Sequence, residues 1–596
     1  MINSDLIADF LEEKKIDTVF GIIGSANAYI FDSIAKKGYT KIVYTHHEQA
    51  AVMSAGAYYR ASGKLSMAIV TAGGGASNAI TGVLSNWADS IPCIILAGQE
   101  SSFYVKNQKH LRMIGTQGFN ASGMVNSIVK KSKCILKKND VIKSLEEAYY
   151  YCLEGRPGPV WLDMPQDIQG AKIDKKDVTH FIPPTPPSYK SEISKITKLL
   201  GQSKRPVILA GHGIKLSKSV NNFKELISKL KIPVLTSWLG IDILSENNPY
   251  NFGRPGLYGQ RKSNFILQNC DLLLVIGSRL SLPLTGYNIS NFAPNAKIIM
   301  VNNDKDELTK HPYHLPIFDN CSNFINKLNA SKWIPSKPIS FTTHLQKWRS
   351  QCLKYKNKYP TIEPHHIEDN KQYSNSYITV DKISEAADDD AIIVFGQGTP
   401  VASGHQSFKV KNNQTVFCSN GLGERGNGIP SAIGAYFSNP NRQIICLVSD
   451  GSLMMNLQEL QTIVGYNIPI KFILFNNEGY LFIKHTQKML FKGNYTGVNK
   501  ETGVSLPQYK KICKAFGINY TNESHKSIKQ FLLTPGSGLY ETYMNPEQDL
   551  SPKVKGIVTE EGIIAPPLEE MSPLLPLHEI ENNMINVNEL SYKIKR

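Results

Sequence analysis

The sequence predicts an α/β protein built from three doubly wound parallel-sheet domains. Apolar runs of strand length that end in glycine turns recur along the chain, and segments with helical spacing of apolar residues separate them. Such runs are typical of parallel strands that are buried on both faces of a sheet. The length of 596 residues is too great for one hydrophobic core and indicates several domains.

Composition shifts and proline-rich stretches predict the domain boundaries. Residues 182–187 carry four prolines in six positions, which favours an extended, stiff linker after the first domain. The proline-rich C-terminal tail shows little periodicity, and we expect it to wrap over other domains or a partner subunit. The predicted segments are a first domain (1–180), a second domain (190–335), a polar linker with some helix (336–373), a third domain (374–538) and the tail (539–596).

Charge, hydropathy and cysteine pattern exclude several classes of protein. The formal net charge is +16, but lysines are spread along the chain without an interleaved basic and aromatic platform, so nucleic-acid binding is not predicted. A basic surface would instead help to collect anionic substrates. No apolar run is long enough to span a membrane, and residues 1–5 do not begin a signal peptide, which predicts a cytoplasmic location. The nine cysteines include no C-x-x-C pair, so neither a zinc site nor a disulfide framework is expected.

Polar side chains follow two neighbouring strands of the third domain. The apolar run 444–448 leads to Asp450 at a glycine turn, and a second run, 470–475, leads to Asn477. In a βαβ unit both residues emerge at the carboxyl edge of the sheet, where α/β proteins bind ligands. A carboxylate, an amide oxygen and a backbone carbonyl suit Mg²⁺, which keeps further positions for water and phosphate oxygens. The stretch therefore predicts a metal and diphosphate site, with an ordinary strand-turn-helix as the alternative.

Two features of the first domain carry similar alternatives. Glu48 follows a strand and opens a helix, where a carboxylate is favoured either by the helix dipole or by a role as a partly buried acid or base. The glycine turn 73–75 precedes Asn78 and a helix, which lets a ligand approach backbone amides or simply makes a tight turn. In the second domain, Arg279 follows a strand and could bind phosphate or lie free on the surface.

A glycine-rich segment in the third domain, 421–428, matches the G-x-G-x-x-G pattern of dinucleotide-binding folds. That pattern requires an acidic residue about 20 positions further on, at the end of a second strand. The sequence offers no convincing candidate, so a dinucleotide fold is not favoured.

The combination of Glu48, the glycine turn at 73–75, and Asp450-Gly451 with Asn477 is far more specific than any part. The chain resembles the thiamine-diphosphate enzymes of the acetolactate synthase family over nearly its whole length. Further matching pieces occur in the same order, at residues 21–24, 47–50, 88–92, 156–165, 428–435 and 455–460.

This resemblance implies a cofactor, a metal and a role for each matched residue. It implies that Glu48 hydrogen-bonds the aminopyrimidine ring of thiamine diphosphate, and that Asp450, Asn477 and the carbonyl of Gly479 bind Mg²⁺. The first domain would bind the pyrimidine and the third the diphosphate, with the active site shared between subunits of a homodimer or homotetramer. Other expected cofactor-binding residues are Gly24, Gly73, Gly74, Asn78, Gln397, Gly398, Thr399, Gly423, Arg425, Gly451, Ser452 and Tyr480.

The middle domain resembles the one that binds FAD in acetolactate synthases. Gly211, Gly213 and Arg279 stand at the matching positions. The sequence leaves open whether FAD is bound.

Three positions depart from the family. Arg425 stands where a methionine usually lies under the thiazolium ring, Thr486 where a tryptophan shapes the second-substrate pocket, and Pro283 where an arginine is usual. With the segments 478–487 and 565–571, these departures resemble a branch associated with surface-polysaccharide and unusual-sugar pathways. The expected reaction is decarboxylation of pyruvate, or a related 2-oxoacid, with transfer of the two-carbon unit to a carbonyl acceptor. The alternatives are transfer to a keto-sugar nucleotide and a non-catalytic cofactor-binding subunit.

Overall fold

The computed structural model describes residues 1–108, 110–189, 191–334, 336–368, 372–559 and 562–594. Of the predicted domain bounds, residues 190 and 335 lie outside the described residues. The chain forms three separate sheets in which every strand pairing is parallel, as the sequence predicts. Two further two-stranded antiparallel pairs occur in the tail.

The first sheet has six strands in the order β2-β1-β3-β4-β6-β5. Alternate residues of its strands enter two different hydrophobic cores, as expected for a sheet covered on both faces. Its strands are β1 (Thr18–Gly21), β2 (Lys41–Tyr44), β3 (Met67–Val70), β4 (Cys93–Gln99), β5 (Lys131–Cys134) and β6 (Pro159–Pro165). Its helices are α1 (Asn3–Glu13), α2 (Ala28–Lys37), α3 (Glu48–Ser62), α4 (Gly74–Asn78), α5 (Ile80–Ala88), α6 (Ser102–Gln108), α7 (Ala121–Val125), α8 (Val141–Leu153) and α9 (Gln166–Gly170).

The second sheet has five strands in the order β11-β10-β9-β7-β8. These are β7 (Pro206–Ala210), β8 (Val234–Thr236), β9 (Leu272–Ile276), β10 (Lys297–Asn302) and β11 (Leu315–Phe318). The accompanying helices are α10 (Ile193–Gln202), α11 (Gly213–Leu216), α12 (Val220–Leu230), α13 (Arg261–Asn269), α14 (Leu282–Thr285), α15 (Lys305–Thr309) and α16 (Cys321–Asn329).

The segment 336–373, expected as a linker, contains a long packed helix. Helix α17 (Ile339–Lys358) buries five side chains spaced three or four residues apart on the middle domain: Phe341, Leu345, Trp348, Cys352 and Tyr355. The short helix α18 (Pro364–Glu368) follows.

The third sheet repeats the topology of the first, with six strands in the order β13-β12-β14-β15-β17-β16. Its strands are β12 (Ile392–Phe395), β13 (Thr415–Cys418), β14 (Ile444–Ser449), β15 (Lys471–Asn476), β16 (Asn519–Asn522) and β17 (Gly538–Tyr543). Its helices are α19 (Ser376–Ala386), α20 (Thr399–Ser407), α21 (Gly428–Ser438), α22 (Asp450–Leu453), α23 (Glu459–Gly465), α24 (Leu481–Phe491), α25 (Tyr509–Phe516) and α26 (Ile528–Leu532).

The third sheet therefore continues past residue 538, where the sequence placed the start of the tail. Strand β17 pairs with both β15 and β16, and Leu539 and Tyr540 enter the cores on opposite faces of the sheet. The rest of the tail forms β18 (Lys553–Val554), β19 (Ile557–Thr559), β20 (Gly562–Ile564), β21 (Met571–Ser572), α27 (Leu577–Asn583) and α28 (Glu589–Lys593). Among the residues described, no helix combines the length and apolar character needed to cross a bilayer.

The tail lies on helix α13 of the middle domain. Asn264 and Asn269 donate side-chain hydrogen bonds to the tail carbonyls of Leu568 and Asn583, each at 2.8 Å. The buried carboxylate of Glu569 accepts a hydrogen bond from Gln268 Nε2 at 2.8 Å. Burial raises the pKa of Glu569 to about 7, because this neutral donor compensates only part of the lost hydration.

The raised pKa of Glu569 predicts that neutral Gln at this position weakens the pH dependence of stability. A carboxyl whose folded-state pKa lies above its unfolded value stabilises the fold at low pH, and this contribution is lost as pH rises through about 7. We expect Glu569→Gln to raise the free energy of unfolding at pH 8 by roughly 1–3 kcal/mol and to change it little near pH 4.5. Urea unfolding at several pH values, followed by tryptophan fluorescence, measures this.

The matched control is Glu581→Gln, which changes an exposed glutamate on the same tail. It should leave the pH profile of wild type unchanged. Equal pH profiles for Glu569→Gln and wild type would contradict the prediction.

Candidate active site

Two adjacent strands of the third sheet deliver the predicted metal-binding residues to one place. Strand β14 ends at Ser449, which lies opposite Phe475 of β15. Asp450 then begins α22, and Asn477 follows the last residue of β15. The structure thus brings the two side chains together at the carboxyl edge of the sheet, where the sequence placed them.

The carboxylate of Asp450 is completely buried and is held by backbone N–H groups. Its Oδ1 accepts from Gly451 N at 2.7 Å, and its Oδ2 accepts from Asn477 N and Gly479 N, both at 3.0 Å. Within the described chain no lysine, arginine or histidine lies at salt-bridge distance. Burial raises the pKa of Asp450 to about 6, although the three N–H donors and the charge of Arg425 act in the opposite direction. The carboxylate is therefore oriented but lacks a direct cationic partner.

Asn477 supplies an unsatisfied acceptor beside this carboxylate. Its Nδ2 donates to Thr399 Oγ1 at 2.9 Å, which fixes the amide. Its Oδ1 is buried and has no hydrogen-bond partner in the described part of the chain. Because a buried polar atom without a partner costs free energy, this oxygen indicates a missing ligand.

These groups fit Mg²⁺, which prefers oxygen ligands and retains water or phosphate in its shell. No group of three or more His, Cys, Asp or Glu side chains among the described residues could hold a metal by itself. A metal here would therefore rely on a carboxylate, an amide oxygen, backbone and bound phosphate. The amide N–H of Gly479 contacts Asp450, whereas its carbonyl as a metal ligand stays a prediction.

A cradle of backbone adjoins Asp450 and Asn477. Gly398 has φ +100°, and a Cβ there would lie 2.6 Å from Ser449 Oγ. A Cβ on Gly451 would lie 2.1 Å from the ring of Tyr480. Helices α20 and α22 begin at Thr399 and Asp450, so their free N–H groups meet at this edge, as phosphate binding requires.

Other predicted residues line or support the same cradle. Gln397 donates its side-chain amide to the carbonyl of Ser419, and its own carbonyl accepts from Ser449 Oγ at 2.8 Å. Ser452 Oγ accepts from Gly426 N at 2.9 Å. Gly423, at φ +70°, lies in the loop that also carries Arg425.

Glu48 forms a second half-site in the first domain. It begins α3 after His47, whose Nδ1 accepts from Gln49 N at 3.2 Å and caps the helix. The carboxylate is buried, and its Oε2 accepts from Asn78 Nδ2 at 3.0 Å. A Cβ on Gly75 would lie 3.2 Å from Oε1, so the glycine turn gives the carboxylate room.

Three predicted glycines surround this second half-site. A Cβ on Gly24 would lie 2.5 Å from Thr71 Oγ1, and Gly73 has φ +66°. Gly74 begins α4 with open space where a side chain would be. The side-chain hydrogen bond of Glu48 is made to Asn78 of its own domain. The structure thus brings Glu48 and Asn78 together in the first domain, apart from Asp450 and Asn477 in the third.

The fold agrees with the known proteins that the chain resembles. Models of the thiamine pyrophosphate enzymes match as the N-terminal TPP binding domain (1–120), the central domain (193–328) and the C-terminal TPP binding domain (396–536). The acetolactate synthase large subunit of Cyanidium caldarium is 31% identical over 569 residues, covering 92% of this chain and 94% of the relative. The chain belongs to the acetolactate synthase family of thiamine pyrophosphate enzymes.

Other relatives extend this comparison across distant organisms. The probable acetolactate synthase large subunit of Methanococcus aeolicus is 31% identical, covering 92% of this chain and 93% of the relative. Acetolactate synthase 3, chloroplastic, of Brassica napus is 28% identical, and the match covers 94% of this chain and 86% of the relative. The predicted class, a thiamine-diphosphate-dependent transferase of the carboligase type, is confirmed.

A cavity of about 360 Å³ lies at the carboxyl edge of the second sheet of this family member. Gly213 and the half-buried Arg279 line it, with residues of the first and third domains such as Asp89, Arg156 and Asn420. Gly211 has a packing role instead, because a Cβ there would lie 2.3 Å from the carbonyl oxygen of Gly277. The sequence placed Arg279 after a strand as a possible phosphate-binding residue, and the resemblance placed Gly213 and Arg279 at FAD-binding positions.

Two contacts of the site escape sequence reasoning. Glu459 of α23 accepts the backbone N–H of His46 at 3.1 Å and so connects the start of α3 to the third domain. Tyr509 donates its hydroxyl to the carbonyl of Asp450 at 2.8 Å. The two residues of each contact are more than 50 positions apart in sequence, so no local pattern predicts the contact.

Removal of the Asp450 carboxylate tests the metal assignment. We expect Asp450→Ala to abolish the Mg²⁺ dependence of thiamine diphosphate binding and to weaken that binding at least tenfold, because the metal loses a charged ligand. Titration of apo-protein with cofactor, with and without Mg²⁺, measures this. Asp389→Ala, at an exposed carboxylate of the same domain, serves as the control. An unchanged metal dependence in Asp450→Ala would contradict the assignment.

Proposed function

We propose that the protein uses thiamine diphosphate and Mg²⁺ to decarboxylate pyruvate, or a related 2-oxoacid. The two-carbon unit then passes to a carbonyl acceptor, as in an acetolactate synthase. The observation that supports this most is the buried, unpartnered Oδ1 of Asn477 beside the Asp450 carboxylate. Relatives named acetolactate synthase over nearly the whole chain support the choice of reaction.

Each half-site has a distinct task in this proposal. Bound thiamine diphosphate supplies a carbon nucleophile and stores the electron pair released by decarboxylation. Asp450, Asn477 and the Gly479 carbonyl hold Mg²⁺ and orient the diphosphate on the helix starts. Glu48 holds a proton at the aminopyrimidine ring, and its burial excludes competing water.

We propose a homodimer as the smallest active unit, with the Glu48 half-site of one subunit facing the diphosphate half-site of the other. Large exposed apolar side chains flank both half-sites. Ile23, which precedes Gly24, is 54% exposed, and Met455, in the turn after α22, is 46% exposed. Leu422, beside Gly423, is 36% exposed. A second copy that covers these surfaces would remove them from water.

Two classes of carbonyl acceptor are candidates, a small 2-oxoacid and a keto-sugar nucleotide. Pyruvate as the acceptor would make acetolactate, the product in the names of the relatives, and a longer 2-oxoacid would make a longer product of the same kind. A keto-sugar nucleotide is supported by Thr486, an exposed residue of α24 whose hydroxyl only bonds the carbonyl of Phe482. A small residue at this point leaves space for a larger acceptor. For the middle cavity, lined by Gly213 and Arg279, FAD is the candidate ligand that the family suggests.

The reaction is tested by giving the protein thiamine diphosphate, Mg²⁺ and pyruvate. We expect release of carbon dioxide with formation of acetolactate. Adding a panel of keto-sugar nucleotides should divert the two-carbon unit if the sugar is the acceptor. Cofactor binding without carbon dioxide release from pyruvate or any related 2-oxoacid would contradict catalysis and favour a non-catalytic cofactor-binding subunit.

Mixing two inactive variants tests the shared site. Glu48→Gln should lower turnover by two or more orders of magnitude with cofactor still bound, because Gln cannot hold the transferred proton. Asp450→Ala should be inactive through loss of the metal. In a mixed dimer one of the two sites carries neither change, so activity should reappear after subunit exchange.

Glu13→Gln is the control, since Glu13 is an exposed glutamate of the same domain. Near-normal turnover of Glu48→Gln would disprove the role of Glu48. Failure of the mixture to regain activity, with subunit exchange demonstrated, would disprove the shared site.

A further inference from the structure

The loop between β13 and α21 carries a positive charge that has no ion-pair partner in the described part of the chain. Arg425 in this loop is half-buried, and no Asp or Glu of the described residues lies at salt-bridge distance from it. Its guanidinium lies over the ring of Tyr480, with Cζ 4.3 Å from the ring centroid. A cation–π contact holds a guanidinium in place and leaves its charge available.

The residue before Arg425 fixes the loop. Glu424 accepts hydrogen bonds from Ser85 Oγ, Ser419 Oγ and Asn427 Nδ2, each at 2.6 Å. Ser85 belongs to the first domain, so the loop is fastened across the domain contact. Burial raises the pKa of Glu424, and the hydrogen bonds from the two serine hydroxyls lower it in part.

The residue after Arg425 is fixed as well. Gly426 donates its N–H to Ser452 Oγ at 2.9 Å, and its carbonyl accepts from Asn456 Nδ2 at 2.9 Å. Both partners follow Asp450 in the segment that starts at α22. The loop therefore holds Arg425 beside the diphosphate cradle, and little conformational entropy is lost when its side chain binds a ligand.

The ring of Tyr480 shows which end of the site the guanidinium faces. This ring lies against Gly451, the first residue after Asp450, since a Cβ on Gly451 would lie 2.1 Å from it. The guanidinium thus lies near the metal-binding carboxylate and the start of α22.

The charges at this end favour an anion as the partner of Arg425. A bound Mg²⁺ neutralises only part of a diphosphate, and a guanidinium matches the remaining phosphate oxygens in charge and geometry. A position under the thiazolium ring would instead place two cations together, which costs free energy. The long stem of arginine allows its charged group to reach away from that ring.

We propose that Arg425, held over Tyr480, binds the diphosphate of thiamine diphosphate rather than forming the floor under its thiazolium ring. This inference rests on the proposed binding of thiamine diphosphate with Mg²⁺. Arg425 would then replace an apolar support of the cofactor by an ion pair to its phosphate end.

Binding of thiamine diphosphate and of thiamine, which lacks the diphosphate, tests the assignment in apo-protein with Mg²⁺. We expect Arg425→Met to weaken thiamine diphosphate binding roughly 10- to 100-fold, as for loss of a charge-assisted hydrogen-bonded pair, and to leave thiamine binding unchanged. Arg425→Lys should fall between, because it keeps the charge and loses the planar fork. Quenching of protein fluorescence gives the affinities independently of turnover.

Lys327→Met is the matched control, because it removes one positive charge from an exposed face of α16 and should bind the cofactor as wild type does. Equal weakening for thiamine and thiamine diphosphate in Arg425→Met would assign Arg425 to ring packing and overturn the proposal. Unchanged cofactor affinity with a raised KM for pyruvate would assign it to the substrate carboxylate and also overturn it.

Binding of thiamine diphosphate by the wild-type protein distinguishes failure of this inference from failure of the proposed function. If wild type fails to bind thiamine diphosphate, the proposed function falls, whereas equal binding by wild type and Arg425→Met contradicts the role of Arg425 alone. If circular dichroism shows Arg425→Met to be unfolded, the comparison of Arg425→Lys with wild type decides, and equal affinities for thiamine diphosphate overturn the proposal.

Discussion

The buried carboxylate of Asp450 is the group on which the rest of the site depends. Three backbone N–H groups hold it, and they come from both strand ends that form the site. Two of the donors are glycines for steric reasons, since a Cβ on Gly451 would meet the Tyr480 ring and one on Gly479 would lie 2.0 Å from Val498 O. Burial opposes ionisation of Asp450, so the ionised carboxylate carries an electrostatic cost. In the proposed function a bound Mg²⁺ offsets that cost, and metal binding is then coupled to the geometry of the two strand ends.

The repeated topology of the first and third sheets explains where the two half-sites lie. Helix α3 follows the second strand of the first sheet, and α21 follows the second strand of the third. The two helices pack closely, with Ser54 Oγ donating to Pro430 O at 2.9 Å and a Cβ on Gly434 only 2.1 Å from Ser54 O. Glu48 is the first residue of α3, and the loop before α21 carries Arg425. Equivalent positions in the two sheets thus supply an acid in one domain and a cation in the other.

Local patterns were enough to predict the strands and the residues at their ends. Asp450 and Asn477 follow apolar runs with glycine turns, and parallel pairing places such ends side by side whatever the rest of the chain does. Helix α17 is predicted only in part, because the sequence indicates some helix within the linker but its polar residues and flanking prolines do not show that it packs on the middle domain. Trp348 and Cys352 nevertheless have the spacing of a buried helical face. The stacking of Arg425 on Tyr480 could not be predicted, since it joins segments 55 residues apart and depends on how the loop is held. The sequence therefore predicts which side chains lie at strand ends, whereas packing determines which residues they contact.

Asp89 connects the middle cavity to the loop between β13 and α21, which carries Arg425. Its carboxylate forms a buried ion pair with Arg60 at 2.8 Å and accepts the backbone N–H groups of Asn420 and Gly421 at 2.9 and 2.7 Å. Both N–H groups lie at the start of the loop that carries Arg425. Asp89 and Asn420 also line the middle cavity. Loss of any of these partners would leave a buried charge without compensation and destabilise the fold. The loop, the first domain and the cavity wall are therefore held in a fixed position relative to one another. The position of Arg425 is for this reason fixed by contacts between the first and third domains, and its guanidinium lies over Tyr480 of the third.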